Sequence, residues 1–241
     1  MSKQVRFRRL VHSDLEPTSN LVREVHGHGF SVVNDVLRPE TCRNLADFVA
    51  SEIAKGPGER PFEAIIDRKH RYDTPFHVEG IAREVLTEAC RHPKLGELLS
   101  ALVTPDGTLV ELSALTSHPG AESQRLHADT RFWPGDALLV CVFIALDDID
   151  LDMGPLEIIL RSSRDRPVKE DSVVFPMTVG RGDAVIMDST AVHRASANTS
   201  QNKARPVFYF SFQSPIGNVP KRKTYSIQRR NDETYSLAQL M

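Results

Sequence analysis

Two hydrophobic periods run along this chain, and the change from one to the other divides it. Between residues 38 and 103 apolar positions recur every three to four residues. Leu45, Phe48, Val49 and Ile53 form one such set, and Ile81, Val85, Leu86 and Ala89 another. That spacing predicts a helix opening at Arg38-Pro39-Glu40-Thr41, a second over residues 81–91 and a shorter third over residues 93–103. Proline at a helix start costs little, because its missing N–H would be unpaired there anyway. Residues 30–36 read as a strand ahead of these helices, and the polar stretch up to Gly27 is expected to be peripheral. From Thr108 onward the period changes. Apolar and β-branched residues gather in the runs Thr108–Ser117, 137–146, 183–188 and 205–212. Turns are marked at Pro105-Asp106-Gly107, Pro134-Gly135-Asp136 and Gly180-Arg181-Gly182-Asp183. The expectation is a mainly β fold, a double-stranded β-helix or jelly roll with the N-terminal helices packed outside and the site in the barrel mouth. We read residues 1–241 as one domain with a core over about 29–212 and a C-terminal tail over 213–241, of which 221–241 is polar.

Composition changes this picture little. A length of 241 residues suits one β domain with helical additions. The formal charge of −2 gives no reason to expect nucleic acid or an anionic membrane as partner. The longest apolar run, residues 137–146, is too short to span a bilayer. The first residues lack a signal-peptide core, and the last ones do not form a Ser-Lys-Leu type signal, so a cytoplasmic location is expected. Cys42, Cys90 and Cys141 are widely spaced and odd in number, which argues against a disulfide framework or a structural zinc site.

Candidate chemistry lies in His127-Ala128-Asp129 and, much later, His193. Two imidazoles and one carboxylate can cap one face of an octahedral metal, the facial triad of non-heme Fe(II) oxygenases, leaving positions for a co-substrate and O2. The short motif alone is weak. With nine His and 32 carboxylates in 241 residues, chance yields about one H-x-[DE] match, and three occur: at His12, His77 and His127. Context separates them. His12 sits in the polar lead-in and His77 before a predicted helix, whereas His127 and Asp129 lie between strand-like runs. Alternate residues of an extended segment share a face, so this pair can hold one metal. Arg205 follows His193 by twelve residues at the mouth of a strand. Its guanidinium there can grip the far carboxylate of a keto acid through paired hydrogen bonds. For a lone arginine, a surface ion pair is the plainer reading; downstream of a triad, the anchor role leads.

From about Gly29 to Phe212 the chain also resembles the phytanoyl-CoA dioxygenase family of Fe(II)/2-oxoglutarate oxygenases. The resemblance rests on the run from Gly29 to Leu37 with Pro39 to Cys42, on Leu126 to Asp129, and on Phe143 to Asp148. It continues through Met153 to Glu157, Gly182-Asp183 and His193, with Asn198 and Arg205 behind. It implies His127, Asp129 and His193 as iron ligands, Arg205 as the 2-oxoglutarate anchor, and oxidation of a C–H bond coupled to release of succinate and CO2. Within the superfamily, a carboxylate at 129 separates hydroxylases and related oxidases from halogenating relatives. One departure stands out: Leu160-Arg161-Ser162-Ser163 occupies the place of a family Pro-Gly-Ser/Thr-His element.

Other residues carry weaker signals. Trp133 is a candidate wall of the co-substrate pocket, and equally a core or lid aromatic. Residues 68–71 could meet an anionic substrate, but four adjacent charges are more often a solvated loop. His26 and His28 lack a third ligand, and a turn entering the first strand explains them. The expected partner is a small organic metabolite, most simply hydroxylated, with homodimer formation open. Two rival classes remain: a cupin-like metal enzyme that does not use 2-oxoglutarate, for which Arg205 has no purpose, and a catalytically silent scaffold, for which the triad has none.

Overall fold

A computed structural model describes residues 17–55, 69–164, 166, 168–219 and 234–241. The three expected helices form as α2 (Pro39–Ala54), α3 (Gly80–Arg91) and α4 (Pro93–Val103). A further helix, α1 (Thr18–His28), precedes the first strand. The lead-in expected to be peripheral thus contributes Leu21 and Val25 to the core, an i, i+4 pair on one helix face. His26 and His28 belong to the last turn of that helix rather than to a loop, and Gly29 ends it in the left-handed conformation (φ 96°).

Among the described residues nine strands form two sheets. The large antiparallel sheet has the order β1-β7-β4-β9-β3-β2, from β1 (Phe30–Val33), β7 (Ala184–Asp188), β4 (Leu139–Ala145), β9 (Arg205–Gln213), β3 (Thr108–Ser117) and β2 (Arg71–Pro75). The small sheet runs β6-β5-β8, from β6 (Val174–Met177), β5 (Leu156–Ile159) and β8 (His193–Ala195). Mainly antiparallel sheets with helices outside make this the expected jelly-roll fold.

Alternation along the large sheet decides which residues meet the helices and which meet the small sheet. On β9, Phe208, Phe210 and Phe212 join the helix-side core with Val140, Val142 and Ile144 of β4 and Ile186 of β7. The intervening positions face the other way. Cys141, Val185 and Met187 pack against Ile158 and Met177 of the small sheet. Between the sheets, at the same faces, a cavity remains.

Glycine 182 fixes the approach of the β1–α2 connection to the turn before β7. Its carbonyl accepts the N–H groups of Val36 (2.8 Å) and Leu37 (3.2 Å), its φ is 87°, and an added Cβ would sit 2.3 Å from the Leu37 carbonyl oxygen. The neighbouring Asp183 is fully buried and accepts from the Asp35 N–H (3.0 Å) and the Gly180 N–H (2.8 Å), which is why the Gly-Asp pair marks this turn. The three cysteines are buried and outside any disulfide among the described residues, and burial pushes the Cys90 thiol up to about 12. At the other end, residues 234–241 are not loose: Leu237 and Leu240 are buried in the helix-side core. The rest of the stretch expected as a polar tail lies outside the described residues. Among the described residues no helix is long and apolar enough to cross a membrane.

Candidate metal centre

The segment carrying His127 and Asp129 is held beside β8 as one more rung of the small sheet. Gln124 N–H donates to the Ala195 carbonyl (2.9 Å), and His127 and His193 exchange backbone hydrogen bonds of 3.0 and 2.8 Å. The Gln124 side chain closes the same edge by accepting from the Ala195 N–H at 2.9 Å. Beyond Asp129, Thr130 ties the segment to the turn after β7, its N–H donating to Ser189 O at 3.1 Å and its hydroxyl meeting that of Ser189 at 2.6 Å.

The two imidazoles are aimed by the same local device. Nδ1 of His127 lies 2.8 Å from the Arg125 carbonyl, and Nδ1 of His193 lies 3.0 Å from the Ala191 carbonyl. A carbonyl oxygen only accepts, so each Nδ1 carries a hydrogen, and in the neutral imidazole that leaves the lone pair on Nε2. Both Nε2 atoms stand 3.8 Å from Oδ1 of Asp129. The three ligand atoms lie within 4.8 Å of one another, and His193 is buried while its two partners are half-buried. Neutral nitrogens and one carboxylate oxygen converging on one point form a donor set that suits a ferrous ion.

Ser162 supports the delivery of His193 from behind. Its hydroxyl donates to the Ile159 carbonyl (2.7 Å) and accepts the Val192 N–H (2.8 Å), locking the exit of β5 to the entry of β8. The departure at residues 160–163 therefore has a structural task one residue from the metal-site histidine.

Across the cavity, Arg205 is almost completely buried. One of its terminal nitrogens donates to the Gly154 carbonyl and the other to Ser117 Oγ at 3.0 Å, while Nε has no partner. No carboxylate pairs with it among the described residues. Burial, and next the charge of Arg71, push Arg205 down to about 9, which still leaves it charged at neutral pH. Gly154 is required by the backbone that passes it: at φ 72°, an added Cβ would fall 2.4 Å from Ser196 O.

Arg71 is the residue the sequence reading missed. The basic stretch read as a solvated loop turns at Lys69 and His70 and opens β2 with Arg71 only 2% exposed; Arg68 lies outside the described residues. Register places Arg71 opposite Ser117, and Ser117 opposite Arg205. Ser117 Oγ therefore accepts from Arg71 Nε as well, also at 3.0 Å. Asn198, buried, donates to the Ser117 carbonyl (2.9 Å) and steadies the same strand end. Two buried guanidiniums sharing one hydroxyl form a cationic corner.

The cavity between corner and triad measures about 400 Å³. Its walls include Ile149, Leu156, Met177 and Val179 with polar contributions from Asp73, Glu111, Gln124 and Tyr209. Trp133 is not among the lining residues: it sits on an exposed turn, 56% accessible, its carbonyl accepting the Asp136 N–H. The turn residues Pro134-Gly135-Asp136 carry it outward, so its proximity to His127 in sequence does not become proximity in space.

A jelly roll with an internal metal-binding His-Asp-His set and a buried arginine opposite it is the architecture of a 2-oxoglutarate oxygenase. The chain belongs to the phytanoyl-CoA dioxygenase (PhyH) family, whose profile matches residues 25–207, and is a non-heme iron, 2-oxoglutarate-dependent enzyme. Among solved structures it is similar to SnoN, a non-heme α-ketoglutarate-dependent epimerase from nogalamycin biosynthesis, at 14% identity with a TM-score of 0.67, over 91% of this chain and 98% of that one. It is also similar to AviO1 from Streptomyces viridochromogenes Tue57, at 20% identity, TM-score 0.61, over 85% and 98%. HygX from Streptomyces hygroscopicus, solved with nickel and 2-oxoglutarate, aligns at 11% identity, TM-score 0.65, over 84% and 89%.

Proposed function

We propose that this enzyme hydroxylates a small organic metabolite, consuming 2-oxoglutarate and O2 and releasing succinate and CO2, with His127, Asp129 and His193 as iron ligands and Arg205 as co-substrate anchor. The observation that carries the reading is the buried Arg205, whose Nε lacks a partner and whose charge has no counter-ion among the described residues. An uncompensated buried charge is costly, and an anion bound opposite it removes that cost. A dicarboxylate spanning from the triad to this corner meets both requirements. Arg71 adds a second positive charge and holds Ser117 in place as a shared acceptor.

Bound ferrous iron would supply the redox chemistry that couples O2 reduction to decarboxylation of the keto acid. The protein's own part is positional. Nδ1 hydrogen bonds fix the orientation of both imidazoles, the apolar wall of Ile149, Leu156, Met177 and Val179 excludes water, and the remaining polar lining orients the substrate. Neighbours named for nogalamycin biosynthesis, or solved with hygromycin B, support a tailoring role on a natural product.

The test is an anaerobic titration of Fe(II)-loaded protein with 2-oxoglutarate, following the visible band of a chelated keto acid. We expect a band in wild type, none in His127→Ala, and an apparent Kd raised roughly 10- to 100-fold in Arg205→Ala, the loss of hydrogen bonds to a charged group. Iron-loaded protein that shows no band would sink the co-substrate reading. With substrate candidates, a product gaining one oxygen atom supports hydroxylation; an isomeric product overturns it in favour of epimerisation.

A further inference from the structure

The two oxygens of Asp129 are not equivalent. Oδ1 faces both histidine Nε2 atoms at 3.8 Å, and Oδ2 is turned toward the large sheet. There it accepts the thiol of Cys141 at 3.5 Å. Among the described residues no other side-chain hydrogen bond reaches Oδ2. Cys141 stands at the middle of β4, buried, on the face that looks into the space between the sheets.

The sulfur is itself braced. Register sets Cys141 opposite Ser211 of β9 on one side and Met187 of β7 on the other. Ser211 Oγ approaches the sulfur at 3.3 Å and lies 2.5 Å from Glu111 Oε2. A carboxylate is a stronger acceptor than a hydroxyl or a sulfur, so the one hydroxyl proton of Ser211 goes to Glu111, and between Ser211 Oγ and Asp129 Oδ2 the thiol of Cys141 donates to the carboxylate. A line of contacts thus runs across three strands, from Glu111 on β3 through Ser211 and Cys141 to the carboxylate. Those strands lie side by side in the order β4-β9-β3, with a register shift on β3 between Leu109 and Glu111.

We propose that Cys141 is a positioning residue that fixes Asp129 as a one-oxygen ligand, its thiol occupying Oδ2 so that Oδ1 alone faces the metal. This rests on the metal-site reading above and extends it to a residue that does not touch the ion. The consequence is chemical. His127 and Asp129 lie on a segment held at its edges by backbone bonds, and the carboxylate is free to rotate about its last torsion. A freely turning carboxylate can bind through both oxygens and so take a position that a keto acid or O2 needs. A donor on Oδ2, fixed to the rigid large sheet, prevents that turn. Partners of this kind behind metal ligands commonly contribute 10- to 100-fold in affinity.

The competing explanation is that Cys141 merely fills space in the inter-sheet core, where it packs with Met187, Val185 and Ile158. Alanine and serine replacements separate the two, because both lose the sulfur's bulk and only serine keeps a donor. The measurement is Co(II) binding in the absence of 2-oxoglutarate, read from the visible absorption of the bound ion in wild type, Cys141→Ala and Cys141→Ser. We expect Cys141→Ala to weaken Co(II) about tenfold or more and to change the shape and intensity of its bands, and Cys141→Ser to stay within about threefold of wild type with a native-like spectrum. Equal weakening in both variants, or a wild-type spectrum and affinity in Cys141→Ala, overturns the proposal while leaving the metal site intact. Failure of wild type itself to bind Co(II) overturns the metal-site reading, and this inference with it. Thermal unfolding of the metal-free proteins, run in parallel, identifies a variant whose loss of affinity comes from misfolding; a Cys141→Ala protein that melts like wild type yet binds weakly supports the proposal.

Discussion

Arg205 shows how much of this site is set by a single side chain placed where it is costly. A guanidinium buried without a counter-charge is tolerable only if hydrogen bonds hold it and a ligand neutralises it. Arg205 has the Gly154 carbonyl and Ser117, and its Nε has no hydrogen-bond partner among the described residues. Arg71 shares Ser117 and also donates to the Glu122 carbonyl at 2.9 Å. Two consequences are measurable at this scale. Replacing Arg71 by Ala should raise the KM for 2-oxoglutarate about tenfold while leaving Fe(II) affinity unchanged, since Arg71 meets the cationic corner and not the triad. Replacing Arg205 by Leu should change the stability of ligand-free protein by no more than about 1 kcal/mol, because the desolvation cost leaves with the charge and offsets the lost hydrogen bonds. Urea unfolding of the variant measures that directly; a loss of several kcal/mol would show that Arg205 is part of the core's support and not a ligand anchor.

Strand β9 serves two layers at once. Its even-numbered positions Phe208, Phe210 and Phe212 are fully buried against the helices, and its odd-numbered positions Arg205, Val207 and Tyr209 line the cavity. The same alternation on β3 and β4 makes the sheet a rigid wall whose rear face is packed and whose front face is chemical. Phe210→Ala should therefore cost about 3–5 kcal/mol of stability, seen as a lowered denaturation midpoint with unchanged slope. The turns are under comparable constraint. Gly182→Ala forces a left-handed backbone on a residue with a Cβ and drives that atom into the Leu37 carbonyl, so we expect a loss of more than about 1 kcal/mol. A Gly182→Ala protein as stable as wild type would show that the β1–α2 connection can move away.

At the scale of the whole molecule, binding and folding are coupled through the cavity between the sheets. The small sheet carries His193, the segment beside it carries His127 and Asp129, and the large sheet carries Arg205 and Arg71. A metal and a dicarboxylate bound between them as proposed would cross-link the two layers. Saturation with Fe(II) or a redox-inert substitute together with 2-oxoglutarate should add RT ln(1 + [L]/Kd), about 2.7 kcal/mol at a hundredfold excess over Kd. Calorimetry would read this as a rise in Tm of several degrees that a chelator reverses. The rise produced by 2-oxoglutarate should be absent in Arg205→Leu; its persistence there would mean that the keto acid is held elsewhere.

Much of this architecture was legible before any fold was in view, and the reason is local. Helices α2, α3 and α4 show their apolar spacing over eleven or more residues, and β3, β4, β7 and β9 announce themselves by β-branched runs between turn residues. His127 and Asp129 could be paired because alternation in an extended segment is a property of the backbone. Four results needed the tertiary structure. Helix α1 buries only two residues, too few to register as a period. The small sheet is made of strands of three and four residues, whose pairing and not whose composition defines them. Trp133 is six residues from His127 and yet points to solvent, because a turn intervenes. Arg71 and Arg205, 134 positions apart in sequence, meet over Ser117 only because β2, β3 and β9 lie side by side in one register. Periodicity and donor chemistry belong to the chain itself, whereas burial, register and the aim of a side chain arise from contacts between segments that are distant along it.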